Sequence, residues 1–246
     1  MRSPVAAIAL VVLAGCSDSQ PTAPAPPGVA PIRVLMVTAT AGFRHDSIPT
    51  ARETITTLGS ATGEFVVTPT EDLATLSAAN LGSYDVLFFA LTSGELPLTD
   101  AQKAAIVAFV SGGKGFVGTH SAADTLYGWP EYGAIVGAYF KDHPCTRPAT
   151  VVIEDTSHPA TAGLESRFSL TEEFYTFRDN PRPRVQVLMR LDAASVEADG
   201  DYPLAWAHTV GSGRSYYNAL GHFAETWRDQ RFQRQIAGAI RWAARR

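Results

Sequence analysis

Proton transfer and metal binding near neutral pH fall first to histidine, and the chain has six: His45, His120, His143, His158, His208 and His222. His120 follows Gly115 to Thr119, a short apolar run that reads as a buried strand, and opens into Ser121-Ala122-Ala123-Asp124. His222 follows Tyr217-Asn218-Ala219-Leu220-Gly221, a second strand end. His143 and His158 each precede a proline, which biases their backbones toward extended geometry. His158, in Ser-His-Pro-Ala-Thr, is expected to be a surface turn, and His208 a satisfied sheet residue near Trp206. Glu172-Glu173 adds two carboxylates. Neighbours on a strand face opposite ways, so one is expected to face the site and the other solvent. Histidines with a carboxylate suit general acid–base work or a divalent metal with N/O ligands. The spacing matches no short metal motif.

Other chemistries are excluded by pattern. Gly118-Thr119-His120-Ser121-Ala122 resembles a nucleophile elbow, but His stands where the nucleophile would be. Cys145 has no strand leading into it and Pro144 separates it from His143, so a thiol nucleophile is not expected. Gly112, Gly113 and Gly115 follow a helix instead of opening one, so they form no phosphate cradle. With 20 basic and 24 acidic residues there is no basic face for nucleic acid. Two cysteines cannot form a disulfide scaffold.

These residues need a frame. Of the 246 residues, 46% are apolar and 18% charged, a globular composition with ample core. Ile32 to Thr38, Glu64 to Thr68, Tyr84 to Leu91 and Gly115 to Thr119 read as strands, and the most apolar suit burial on both faces. Helices are expected over Ile48 to Leu58, capped by Ser47, and over Thr99 to Val110, where Thr99 and Gln102 form a capping box. Further strands are expected at Thr150 to Glu154, Val185 to Leu191, Leu204 to His208 and Gly213 to Leu220, with a closing amphipathic helix over Gln230 to Arg245. The alternation predicts an α/β fold with a mixed sheet. Ligands in such sheets bind beyond the carboxyl ends of strands. That singles out Ala41 to Asp46, Leu91 to Glu95 and His120 to Asp124.

The first residues read as an address. Arg2, an apolar run from Val5 to Leu13, and Leu13-Ala14-Gly15-Cys16 resemble a bacterial lipoprotein signal, with Cys16 the acylated residue. Residues 1–15 are expected to be cleaved, and the proline-rich stretch 16–31 to form an extended tether to a domain spanning 32–246. The expected location is the bacterial cell envelope, at its periplasmic or outer-membrane face, with membrane contact through the lipid alone.

Taken in order, several motifs resemble the ThuA-like (trehalose utilisation) family. They are Phe43-Arg44-His45, Gly113 to Ala122, Phe140 to Pro144, Glu172-Glu173-Phe174-Tyr175, Pro203 to Trp206, Gly211 to Tyr217 and Gly221-His222. The resemblance implies a class I glutamine amidotransferase-like fold. This is a flavodoxin-like three-layer α/β/α sandwich with a mostly parallel, mixed central sheet. The amidotransferase cysteine is missing from it, in keeping with His120. It also implies a carbohydrate substrate, of the 3-keto sugar type. Envelope relatives often carry cytochrome-like or sugar-binding modules. None accompanies the domain in this sequence, so a separate envelope sugar oxidoreductase is an expected partner.

A 3-keto sugar has acidic C–H bonds beside its carbonyl. The expected roles are Glu173 or His120 as base, with His143 and His222 polarising the oxyanion directly or through a divalent metal such as zinc. His120, His143 and His222 are the candidate ligands. Substrate contacts are expected from His45, Phe43, Asp124, Tyr175 and Trp129, with Tyr127 as a further aromatic. The rival readings are a non-catalytic carbohydrate-binding lipoprotein and a partner subunit of a sugar oxidoreductase.

Overall fold

The structure is a computed structural model that describes residues 30–246; the signal, Cys16 and nearly all of the expected tether lie outside the described residues. Nine strands form one sheet: β1 (Ile32–Val37), β2 (Phe65–Thr70), β3 (Val86–Ala90), β4 (Gly115–Thr119), β5 (Phe140–Ile153), β6 (Arg167–Phe177), β7 (Gln186–Leu191), β8 (Pro203–Val210) and β9 (Gly213–Asn218). Their spatial order is β2-β1-β3-β4-β9-β8-β7-β5-β6. The pairings from β2 through to β9 are parallel and those from β9 to β6 antiparallel. The α/β expectation with a mixed sheet therefore holds. The helices are α1 (Ile48–Thr62), α2 (Ala78–Leu81), α3 (Asp100–Ser111), α4 (Pro130–Val136), α5 (Ala224–Arg228) and α6 (Gln230–Ala243). α1, α5 and α6 pack together on one face, and α2, α3 and α4 on the other. Both faces are thus covered, which is why β3 and β4 are buried along their whole length.

Local chemistry explains the boundaries. Thr99 caps α3 in a reciprocal box with Gln102. α6 lays Phe232, Ile236 and Ile240 into the core. It crosses so close to β4 that a Cβ on Gly115 would meet the Ala243 Cβ at 2.8 Å. The side chain of Ser47, expected to cap α1, does not do so; its hydroxyl instead donates to the Gly221 carbonyl, tying the start of α1 to a loop near the site.

The largest departure lies before Thr150, where the strand expected from Thr150 begins ten residues earlier, at Phe140, as β5. Pro144 and Pro148 and the charged residues around them hide a strand there. An edge tolerates proline because one N–H row faces no partner. β7 pairs with β5 only at Val151 to Ile153, whereas β6 runs alongside it from Phe140 to Val152. The outer part of this hairpin is therefore a two-stranded arm, bent by register shifts between Phe140 and Cys145. It reaches back over the carboxyl ends of β4 and β9.

His158 corrects a second expectation. It sits in a turn, but only 6% of it is exposed; its Nδ1 accepts from the Ala160 N–H and its ring packs on Trp242 and Tyr216. Burial, partly opposed by Asp155, lowers its pKa to about 4. The unfolded chain, with an ordinary imidazole, binds this proton near pH 6.5. Stability must therefore fall as the pH drops from about 6.5 to about 4. The loss of stability between pH 7 and pH 4.5, read from urea unfolding, should be about 2–3 kcal/mol smaller in His158→Gln than in the natural protein. An equal loss would show that His158 does not stay neutral in the fold.

Candidate active site

Strand register brings the site together. Ala90 lies beside Thr119, and Thr119 beside Asn218, so β3, β4 and β9 end level with one another. His120 leaves β4 with φ at +49°, a left-handed turn that swings its imidazole out over the strand end. It is fully buried. Its Nδ1 lies 2.9 Å from the Ala219 carbonyl oxygen. A carbonyl only accepts, so Nδ1 carries the proton and Nε2 turns toward the cluster.

That cluster is His45, His120, His222 and Glu173, with one ligand atom from each all lying within 4.8 Å of one another. His45 comes from the β1–α1 loop. Its backbone is braced by the bidentate Arg44–Glu71 pair and by Ser93, which donates to the Phe43 carbonyl. Thr92 and Ser93 are buried and serve as such braces; they do not line the cleft. Glu173 arrives from the arm. Its Oε2 lies 3.4 Å from His120 Nε2 and 3.1 Å from His222 Nδ1, and its Oε1 lies 3.5 Å from His143 Nδ1. His222 Nδ1 and His120 Nε2 are 3.3 Å apart.

Charge follows geometry. Burial raises the cost of ionising Glu173, but its contacts with the His120 and His222 rings outweigh it and hold the carboxyl well below the usual range. The hydrogen bond to Glu173 raises His222 above an ordinary imidazole. Burial, with repulsion from His120 and His222, pushes His45 down to about 3. His45 is thus a neutral imidazole near neutral pH.

The cleft over the cluster has a volume of about 240 Å³ and is lined by Phe43, His45, Asp124, Phe140, His143, Glu173, Tyr175 and His222. Phe43 stands at its mouth, 65% exposed, with its ring edge-on to His45. Tyr175 is buried between His120 and Phe140, at ring distances of 4.2 and 4.3 Å. Asp124 accepts a hydrogen bond from Tyr127 at 2.6 Å. His143 is half-exposed on the rim.

Of the residues singled out from the sequence, the structure gathers His45, His120, His143, His222, Glu173, Phe43, Asp124 and Tyr175 around this cleft. Trp129 is not brought in: it is buried against Tyr132, with Lys103 over its ring. His143 was expected among the metal ligands, but the bend in the arm sets it outside the cluster, on the far oxygen of Glu173. His208 donates its Nε2–H to the Ala134 carbonyl, beside a separate hollow of about 380 Å³ against α4. Phe140 lines the cleft and was missed as a site residue. Glu172, expected in solvent, is fully buried. No local pattern reveals this, because its partners lie about fifty residues away, from Gly221 to Thr226.

The family model for trehalose utilisation, ThuA, matches residues 33–243. The chain belongs to the ThuA family. A ThuA-like protein from Bacteroides uniformis is 25% identical, with a TM-score of 0.74 over 90% of this chain and 95% of its own. One from Parabacteroides merdae is 19% identical, with a TM-score of 0.71 over 87% and 90%. A Thermoplasma acidophilum protein described as a GMP synthase component shares the fold at 11% identity, with a TM-score of 0.51 over 86% and 95%. No curated protein matches the chain. In this ThuA protein the turn after β4 carries His120, and the only cysteine among the described residues, Cys145, sits on the arm.

Proposed function

We propose that this ThuA protein is a metal-dependent enzyme that moves a proton on the carbon beside the carbonyl of a keto-sugar. One observation carries the reading. Glu173 Oε2, His120 Nε2 and His222 Nδ1 form a triangle with sides of 3.1, 3.3 and 3.4 Å. Ligands about 2.0–2.1 Å from a tetrahedral ion stand roughly 3.3 Å apart. The donor set fits a divalent ion of the zinc type, with His45 completing the four. His120 also gives its other ring N–H to a backbone carbonyl, the usual support of a metal-bound imidazole. Three imidazoles lie with ring centroids 4.7 to 5.2 Å apart, and a cation satisfies their inward ring nitrogens together.

A bound cation would supply Lewis acidity at the substrate carbonyl and stabilise charge on its oxygen. The chain's own residues do the rest. Glu173 is too strongly held as an anion to be an effective base, since the best bases titrate near the working pH. Its Oε1 instead orients His143, whose rim position leaves it open to substrate. His143 takes the proton from the carbon, and the bonding pair moves onto the carbonyl oxygen as an enediolate. Returning the proton to the former carbonyl carbon, while the neighbouring hydroxyl proton passes to the former carbonyl oxygen, gives an isomer. Expelling an oxygen substituent one carbon further on gives an elimination product. Phe43 on one side and Phe140 with Tyr175 on the other offer apolar walls to the faces of a sugar ring.

The test is proton NMR of the protein with a 3-keto-glucoside in D₂O, with and without a chelator. Deuterium at the carbon beside the carbonyl, lost on chelation, is expected. Ligand line broadening without exchange would replace this reading with that of a carbohydrate-binding protein. Neither signal would leave the reading of a non-catalytic partner protein.

A further inference from the structure

Glu172 is a carboxylate for which the chemistry above has no use, yet it is fully buried. Its two oxygens accept four hydrogen bonds. Oε2 takes the Gly221 N–H at 2.9 Å and the Thr226 hydroxyl at 2.7 Å; Oε1 takes the His222 N–H at 3.2 Å and the Glu173 N–H at 3.0 Å. Two of these donors lie in the turn that follows β9, and a third, Thr226, lies in α5. The other is the backbone of Glu173 itself. The adjacent carboxylates of the arm therefore grip one residue at two places: Glu172 holds the backbone of His222, and Glu173 its imidazole.

The turn needs such a grip. Gly221 sits at φ +124°, a conformation open to glycine alone, where a Cβ would approach the Trp227 ring at 3.3 Å. Its carbonyl is held by the Trp227 indole N–H at 2.8 Å and the Ser47 hydroxyl at 3.3 Å. Its N–H is left for Glu172. Without that partner, two backbone N–H groups would lie unsatisfied beneath the site.

We propose that Glu172 is the positioning residue of this site. Its buried carboxylate pins the Gly221–His222 turn to the arm and so sets the His222 imidazole against Glu173 Oε2 and His120 Nε2. The inference rests on the metal reading for its functional meaning, but the clamp can be tested apart from it. Outer groups that orient metal ligands change affinity about 10- to 100-fold when replaced.

The experiment measures two things in the full protein and in Glu172→Gln: zinc affinity by competition with a chromogenic chelator, and backbone amide exchange. Glutamine keeps the shape but turns an N–H donor toward donors. The variant should bind zinc about 10- to 100-fold more weakly. The Gly221 and His222 amides should exchange at least about tenfold faster, while amides in β3 and β4 keep their protection. Unchanged exchange at 221 and 222, or uniform acceleration throughout, would overturn the clamp, the latter showing a purely structural role. Unchanged zinc affinity would overturn its positioning role. If the natural protein binds no zinc, the metal reading falls and amide exchange alone decides the clamp. Should Glu172→Gln fail to fold, Thr226→Val removes one donor and leaves the carboxylate; local acceleration there is expected, and none would refute the proposal.

Discussion

Replacing His143 with glutamine should lower deuterium exchange into a 3-keto-glucoside by about 10²- to 10⁴-fold, the usual contribution of a positioned acid–base group. Zinc affinity should stay within a few-fold, because His143 touches only the outer oxygen of Glu173 and stands outside the four-residue cluster. Glu173→Gln should behave differently and lose both exchange and zinc binding. Its carboxylate touches His120 and His222 through one oxygen and His143 through the other. The contrast separates a residue that moves a proton from one that holds the machinery. Competition titration and NMR exchange on the two variants would check it. If His143→Gln exchanged within about threefold of the natural protein, the base would have to be sought elsewhere, with Asp124 the next carboxylate in the cleft.

The parallel half of the sheet was legible because its residues say the same thing at every level. Val34 to Val37 and Val86 to Ala90 are apolar throughout since both faces are covered. Thr99 and Gln102 announce a helix start whose chemistry is local. His120 and His222 could be found for a related reason: each follows the end of a buried strand, and strand ends are where such sheets bind ligands. The arm was not legible. Between Phe140 and Pro148 it carries two prolines and several charged residues, so no two-residue apolar period marks it as a strand. Its course leaves His143 outside the cluster that His45 joins from the β1–α1 loop, and that follows from packing between elements far apart in sequence. Glu172 shows the same limit. Alternation told correctly that it and Glu173 face opposite ways, but a second buried surface on the arm's other side was invisible. Trp129 failed for the opposite reason, since a large aromatic near a site loop serves equally well as core.

Zinc should raise the melting temperature of the metal-free protein by roughly 8–16 °C at a free concentration about a thousand times its dissociation constant. Binding to the folded state alone contributes about 4 kcal/mol under those conditions, and for a domain of this size each kcal/mol moves the midpoint by about 2–4 °C. The physical ground is how the side chains of the cluster are held. His45 is held neutral by burial and by its neighbours, so it offers a lone pair with no proton to displace. His120 is anchored through Nδ1 to the Ala219 carbonyl, so its Nε2 is oriented before any ion arrives. His120→Ala removes one ligand and with it two sides of the triangle, and its zinc-dependent shift should fall to about 2 °C or less. Differential scanning fluorimetry with zinc, with chelator, and with magnesium as a hard-cation control would read this directly. A comparable shift in His120→Ala, or one produced equally by magnesium, would mean that the ion binds elsewhere, because oxygen-seeking magnesium has little affinity for three imidazoles and a carboxylate.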